Sequence, residues 1–186
     1  MVKVKDQYEL RELKVDVWSV QSSKLGSIPT AGCISVNACA VHPFDHFLYC
    51  FCQRMNGESW IVRFDRGGLM QVFQSSESSN AAAFDEQGMF YYLGKSAMFS
   101  IKSLGLENPV ETRLYSFAIK KAAYDITIGK IDLNGDGKMK YYVLGLTSEL
   151  DLMIFSTSKE CLLTCMIKVR IVDIISDAEP PDKDAK

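Results

Sequence analysis

Short apolar runs of strand type, some continuous and some broken by single polar positions, recur along most of this chain. The clearest are Leu48-Tyr49-Cys50-Phe51-Cys52, Trp60-Ile61-Val62-Arg63-Phe64, Phe90-Tyr91-Tyr92-Leu93, Ala97-Met98-Phe99-Ser100-Ile101 and Leu152-Met153-Ile154-Phe155. They are rich in β-branched and aromatic residues and end at turn formers such as Gly67-Gly68, Gly94-Lys95 and Asn134-Gly135, which is the pattern of strands joined by tight turns. A matching run, residues 15–20, opens the chain, and residues 6–14 allow one short helix before it. No long amphipathic helical period occurs, so helix is expected to be a minor component.

The runs recur. Residues 37–51, starting Asn37-Ala38-Cys39-Ala40, are answered at an offset of 43 by residues 80–93, starting Asn80-Ala81-Ala82-Ala83. A third copy is read at residues 122–128 and 137–145, where Tyr141-Tyr142 echoes Tyr91-Tyr92 at a distance of 50. Each copy is followed by a second alternating run. Self-similarity at about 45 residues, built from strand, turn and strand, is what a β-propeller blade requires. The expected fold is therefore all-β, a small or partial β-propeller of about four antiparallel blade-like units. Residues 1–176 would form this single domain, and the charged, Pro-broken residues 177–186 a disordered tail.

Two family resemblances attach to particular residues. Asn80-Ala81-Ala82-Ala83-Phe84 followed by Gly88-Met89-Phe90-Tyr91-Tyr92 resembles the repeat of four-bladed hemopexin-like propellers, with Asn80 where that family has Asp, and residues 60–65 echo its end. The resemblance implies a disc of four blades. Asp132-Leu133-Asn134-Gly135-Asp136-Gly137 resembles the calcium loops of FG-GAP and VCBS repeats, with Lys140 at the position of their last Asp.

That loop carries the sharpest chemical signal. Oxygen-bearing residues at alternate positions, then Gly, can turn toward one hard cation, so Asp132, Asn134 and Asp136 form the candidate Ca²⁺ site. An EF-hand is excluded, because Lys140 and Val143 stand where its ninth and twelfth ligands belong. Asn-Gly and Asp-Gly are also strong hairpin signals that need no ion. His42, His46, Cys50 and Cys52 supply zinc-type ligands at a spacing unlike known fingers, and a turn with buried thiols is the simpler reading. Asp45, Asp85 and Asp125 recur at similar places in the copies and serve equally well as turn residues.

Net charge is −2, which argues against nucleic-acid coating. No apolar run approaches the ~20 residues that span a bilayer as a helix, so no membrane insertion is expected. The ten Phe, eight Tyr and two Trp read as packing between sheets rather than as stacking platforms. Ser75-Ser76-Glu77-Ser78-Ser79 reads as a solvated connector. The six cysteines leave the redox compartment open; absence of an Asn-x-Ser/Thr sequon leans cytoplasmic, and a secreted form would need a leader not read here. Gly-x-Ser-x-Gly, P-loop and dinucleotide motifs are missing. The functional expectation is a non-enzymatic binding or assembly module that engages a protein partner or itself. A calcium-binding extracellular adhesion or matrix protein and a lactonase-type propeller hydrolase stand as alternatives.

Overall fold

A computed structural model describes residues 2–4, 7–16, 19–29, 32–65, 68–95, 97–116, 123–133, 135–147, 151–157 and 166–170. All regular elements among them are strands, in four antiparallel sheets. The N-terminal sheet holds β1 (Val2–Val4), β2 (Gln7–Val15) and β3 (Val20–Pro29). Three four-stranded meanders follow. The first is β4 (Cys33–Val41), β5 (Leu48–Arg54), β6 (Ser59–Asp65) and β7 (Gly68–Ser75). The middle one is β8 (Ala82–Phe84), β9 (Phe90–Leu93), β10 (Ala97–Lys102) and β11 (Val110–Ser116). The last is β12 (Ala123–Ile131), β13 (Lys140–Thr147), β14 (Asp151–Ser156) and β15 (Met166–Arg170). In each meander the strands pair in chain order.

The meanders stack face to face, with the first strand of the middle one, β8, packed against both β4 and β12. Alternation along each strand divides the side chains between two seams. Tyr49, Phe51 and Ile61 meet Phe90, Tyr92, Phe99 and Ile101 in the first seam. Tyr91, Leu93 and Met98 turn the other way and meet Ile126, Val143, Met153 and Phe155 in the second. All four residues of β9 are therefore buried, which puts Phe90, Tyr91 and Tyr92 in the packing between sheets, as their spacing indicates. On the opposite face of the first meander, Cys33, Cys50, Cys52, Val62 and Phe64 form a third cluster. Among the described residues the stack does not close into a ring.

Three sequence readings need correction. Residues 7–15 are strand β2, not helix: Arg11 donates to Glu9 Oε2 through Nε and Nη2 at 3.0 and 2.9 Å, and Lys24 of β3 reaches Glu9 Oε1 at 3.2 Å. Residues two apart share a face in a strand but not on a helix. The run at 15–20 folds back on itself instead of extending. Val15 pairs with Val20, and Asp16 accepts the Ser19 N–H and hydroxyl at 2.7 and 2.8 Å, because a short carboxylate satisfies a turn better than a strand does.

The serine-rich connector is not simply solvated. Ser75 and Ser79 are buried; the Ser75 hydroxyl donates to Ser59 O at 3.2 Å, and the Ser79 hydroxyl lies 2.7 and 2.8 Å from Ala81 O and Leu93 O. A hydroxyl at a crossover can satisfy the carbonyls that the ladder leaves unpaired. Residues 177–186, Cys161 and Cys165 lie outside the described residues.

Candidate functional site

The turns that join the first and second strands of the meanders sit together at one end of the stack. Gly88, at φ +79°, lies so close to the first turn that a Cβ would stand 3.1 Å from both His42 Nε2 and Phe44 Cε2. Glu86 of the same turn reaches the last meander, where Lys130 Nζ sits 2.6 Å from its Oε1. The Tyr141 hydroxyl donates to that same oxygen, and the Lys130 ammonium lies 4.7 Å from the Tyr141 ring centroid. Lys130, and then Tyr141, hold the Glu86 carboxyl below its ordinary range, while Glu86 holds Lys130 above its own. These partners are 44 and 55 residues apart, and no local pattern announces them.

Each turn is organised by one aspartate. Asp45 Oδ1 accepts the Phe47 N–H at 2.9 Å and Oδ2 accepts the Tyr49 hydroxyl at 2.7 Å. Asp85 Oδ1 accepts the Gln87 and Met89 N–H groups at 2.9 and 2.8 Å, while Oδ2 accepts the Tyr91 hydroxyl at 3.4 Å. Burial, and then the neighbouring Asp45 carboxylate, push the Tyr49 phenol up to about 12. The third recurrent carboxylate behaves differently. Asp125 lies within β12 and accepts the adjacent Ile126 N–H, and the aspartate that organises the third turn is Asp132.

Asp132 Oδ1 accepts the Asp136 N–H at 3.2 Å and Oδ2 the Gly137 N–H at 2.7 Å, while Asp136 Oδ1 accepts the Lys138 N–H at 2.9 Å. Gly135 and Gly137 adopt φ +67° and +77°, the left-handed region in which glycine is unstrained. Asn134, the third candidate ligand, lies outside the described residues. Carboxylate oxygens such as those of Asp132 and Asp136 are the donor type that suits a hard cation such as Ca²⁺. Among the described residues no group of three or more His, Cys, Asp and Glu could hold a metal.

The zinc-type constellation is occupied otherwise. Cys50 is bonded to Cys39 and Cys52 to Cys33. His42 Nδ1 accepts the Asp45 N–H at 3.3 Å, and its ring meets that of Phe84 edge-on at 4.8 Å. Sequence reading missed both disulfides, since two bulges in β4 decide which sulfurs meet. At the other end of the stack a polar cleft of about 310 Å³ is lined by Gln53, Ser59, Gln74, Ser76, Ser78 and Lys95. Beside it Glu111 Oε1 accepts the Tyr92 hydroxyl at 2.6 Å and the Ser76 N–H at 3.3 Å, and the Ser76 hydroxyl donates to Oε2.

No protein-family model matches the chain, and no curated protein is significantly similar to it.

Proposed function

We propose that this chain is a non-enzymatic assembly module, part of a β-propeller, that engages a further β-sheet of a protein partner or of a second copy. The observation that supports this is the outward face of the last meander. Val143, Met153 and Phe155 face the middle meander, so the alternate residues Tyr142, Leu144 and Leu146 face away. Leu146 is 38% exposed, whereas Tyr91 and Leu93, on the corresponding face of the middle meander, are 7% and 8% exposed beneath the last one. Ile154, which pairs with Leu144 and so shares this outward face, is 8% exposed, so among the described residues the face is open at its Leu146 end. Exposed apolar faces and edges are covered in functional assemblies. In sedimentation velocity over a concentration series, association is expected, and Leu146→Glu should weaken it. A monomer at every concentration, unaltered by the substitution, contradicts self-assembly and leaves the reading without its readiest partner.

A second reading, a calcium-binding extracellular protein, is favoured by the two disulfides, since such bonds persist in oxidising compartments. Asp132, Asn134 and Asp136 would then hold Ca²⁺ with main-chain oxygens and water. Binding to the folded state must raise the unfolding midpoint, so a calcium-dependent rise over EDTA, lost in Asp136→Ala, is the expected result. No shift at millimolar calcium, or six free thiols in the native protein, contradicts this reading.

A further inference from the structure

We propose that Cys39–Cys50 is a reversible dithiol–disulfide site whose state sets the conformation of a bulge in β4 and, through it, the contact of β4 with the middle meander. Both disulfides join β4 to β5, but their surroundings differ. Cys33 and Cys52 are 4% and 1% exposed, and Cys50 is fully buried, whereas Cys39 is exposed. Thiol–disulfide exchange begins with a thiolate attacking a sulfur it can reach, and accessible disulfides are the labile ones. Cys39 is the one exposed residue of the four, which makes its Sγ the point of attack in this proposal.

The same disulfide lies where the β4–β5 ladder fails. Pairing runs from Asn37 with Phe51 directly to Ala40 with Tyr49, so Ala38 and Cys39 together oppose Cys50 across a bulge. Ala38 takes φ +49° there, a left-handed conformation that a residue with a Cβ adopts only when its surroundings impose it. Cys39, bonded to Cys50, is one of those constraints. Asn37, on the other side of Ala38, sends its Nδ2 to Asn80 Oδ1 at 3.3 Å, at the start of the middle meander. Bulge, disulfide and inter-sheet contact thus occupy consecutive positions of one strand.

With a dithiol as reductant the chemistry balances simply. Its thiolate attacks Cys39 Sγ, the Cys39–Cys50 bond breaks, and Cys50 leaves as a thiolate that takes up a proton. The second thiol of the reagent then displaces Cys39, which is also protonated, and the reagent becomes a disulfide. The protein gains two electrons and two protons. Freed from Cys50, Ala38 can return to negative φ, and Asn37 moves relative to Asn80.

The test is a titration of the native protein with dithiothreitol, read by alkylation and peptide mapping together with hydrogen exchange. Cys39 and Cys50 should be alkylated first, with Cys33 and Cys52 protected until global unfolding. Exchange across residues 36–41 should rise at least several-fold in the selectively reduced protein, and equally in a Cys39→Ser, Cys50→Ala double variant without reductant, while β6 and β10 stay unchanged. Simultaneous reduction of both disulfides overturns the proposal. So does selective reduction that leaves exchange across residues 36–41 unaltered.

Discussion

The two seams of the stack are built from different material. Between the first and middle meanders the core is aromatic. Phe90 lies 4.8 Å from Phe84 and 6.1 Å from Phe51, and Tyr92 stacks on Phe99 at 4.8 Å with only 8° between ring planes. Between the middle and last meanders, aliphatic side chains and methionine dominate, and the seam is rimmed by the exposed Glu86–Lys130–Tyr141 network. An aromatic seam combines large buried area with ring orientation, whereas an aliphatic one depends on close filling alone. The first seam should therefore be the less tolerant of change.

The largest effect is expected from Phe90→Ala, which removes a fully buried ring and should cost about 3–5 kcal/mol in denaturant unfolding. Met98→Ala, equally buried in the second seam, should cost about 2–4 kcal/mol, because flexible neighbours such as Met153 can move into the space. Equal losses at the two positions would remove the distinction. Next come the turn aspartates. Asp85 is 6% exposed and holds two N–H groups and a tyrosine hydroxyl, so Asp85→Ala should cost about 1–3 kcal/mol, and Asp132→Ala, at a more exposed turn, distinctly less.

The Tyr49–Asp45 pair adds a pH signature to the first seam. The folded Tyr49 pKa is raised to about 12 from an ordinary value of 10.0. Its contribution is complete below the unfolded pKa and is lost as pH rises through the folded one, so stability should fall between about pH 10 and 12. Tyr49→Phe should lessen that fall in alkaline unfolding curves, leaving the part due to Tyr92, whose phenol is also raised by burial and then by Glu111. The smallest change is expected at the rim of the second seam, where Lys130→Met should lower the midpoint slightly at low salt and not at all near 1 M salt.

How far these features were legible in the sequence depends on their range. Short runs of apolar, β-branched and aromatic residues announced β5, β6, β9 and β10, and Gly and Asp announced the turns, because both signals are local. Which face a residue takes was less legible. The offset of 43 matches Tyr49 to Tyr92, yet the former points from the first meander into the seam and the latter points back from the middle one. The Asp45–Tyr49 and Asp85–Tyr91 pairs instead relate residues 42 apart at the tyrosines. A one-residue change of register reverses the face, and turn length, which sequence similarity absorbs as a gap, decides it. The disulfides were hidden for a related reason, since bulges shift register without leaving a pattern. At the candidate calcium loop, residue types suggested a cation, but the N–H groups that organise Asp132 belong to the backbone and leave no trace in residue identity.

The central claim, that the outward face of the last meander is open around Leu146, is tested most directly by hydroxyl-radical footprinting of the isolated monomer. Tyr91, beneath the last meander, should be protected, and Tyr142 and Leu146, on the outward face, should be oxidised readily. Protection of Tyr142 and Leu146 to the level of Tyr91 in that monomer would contradict the account.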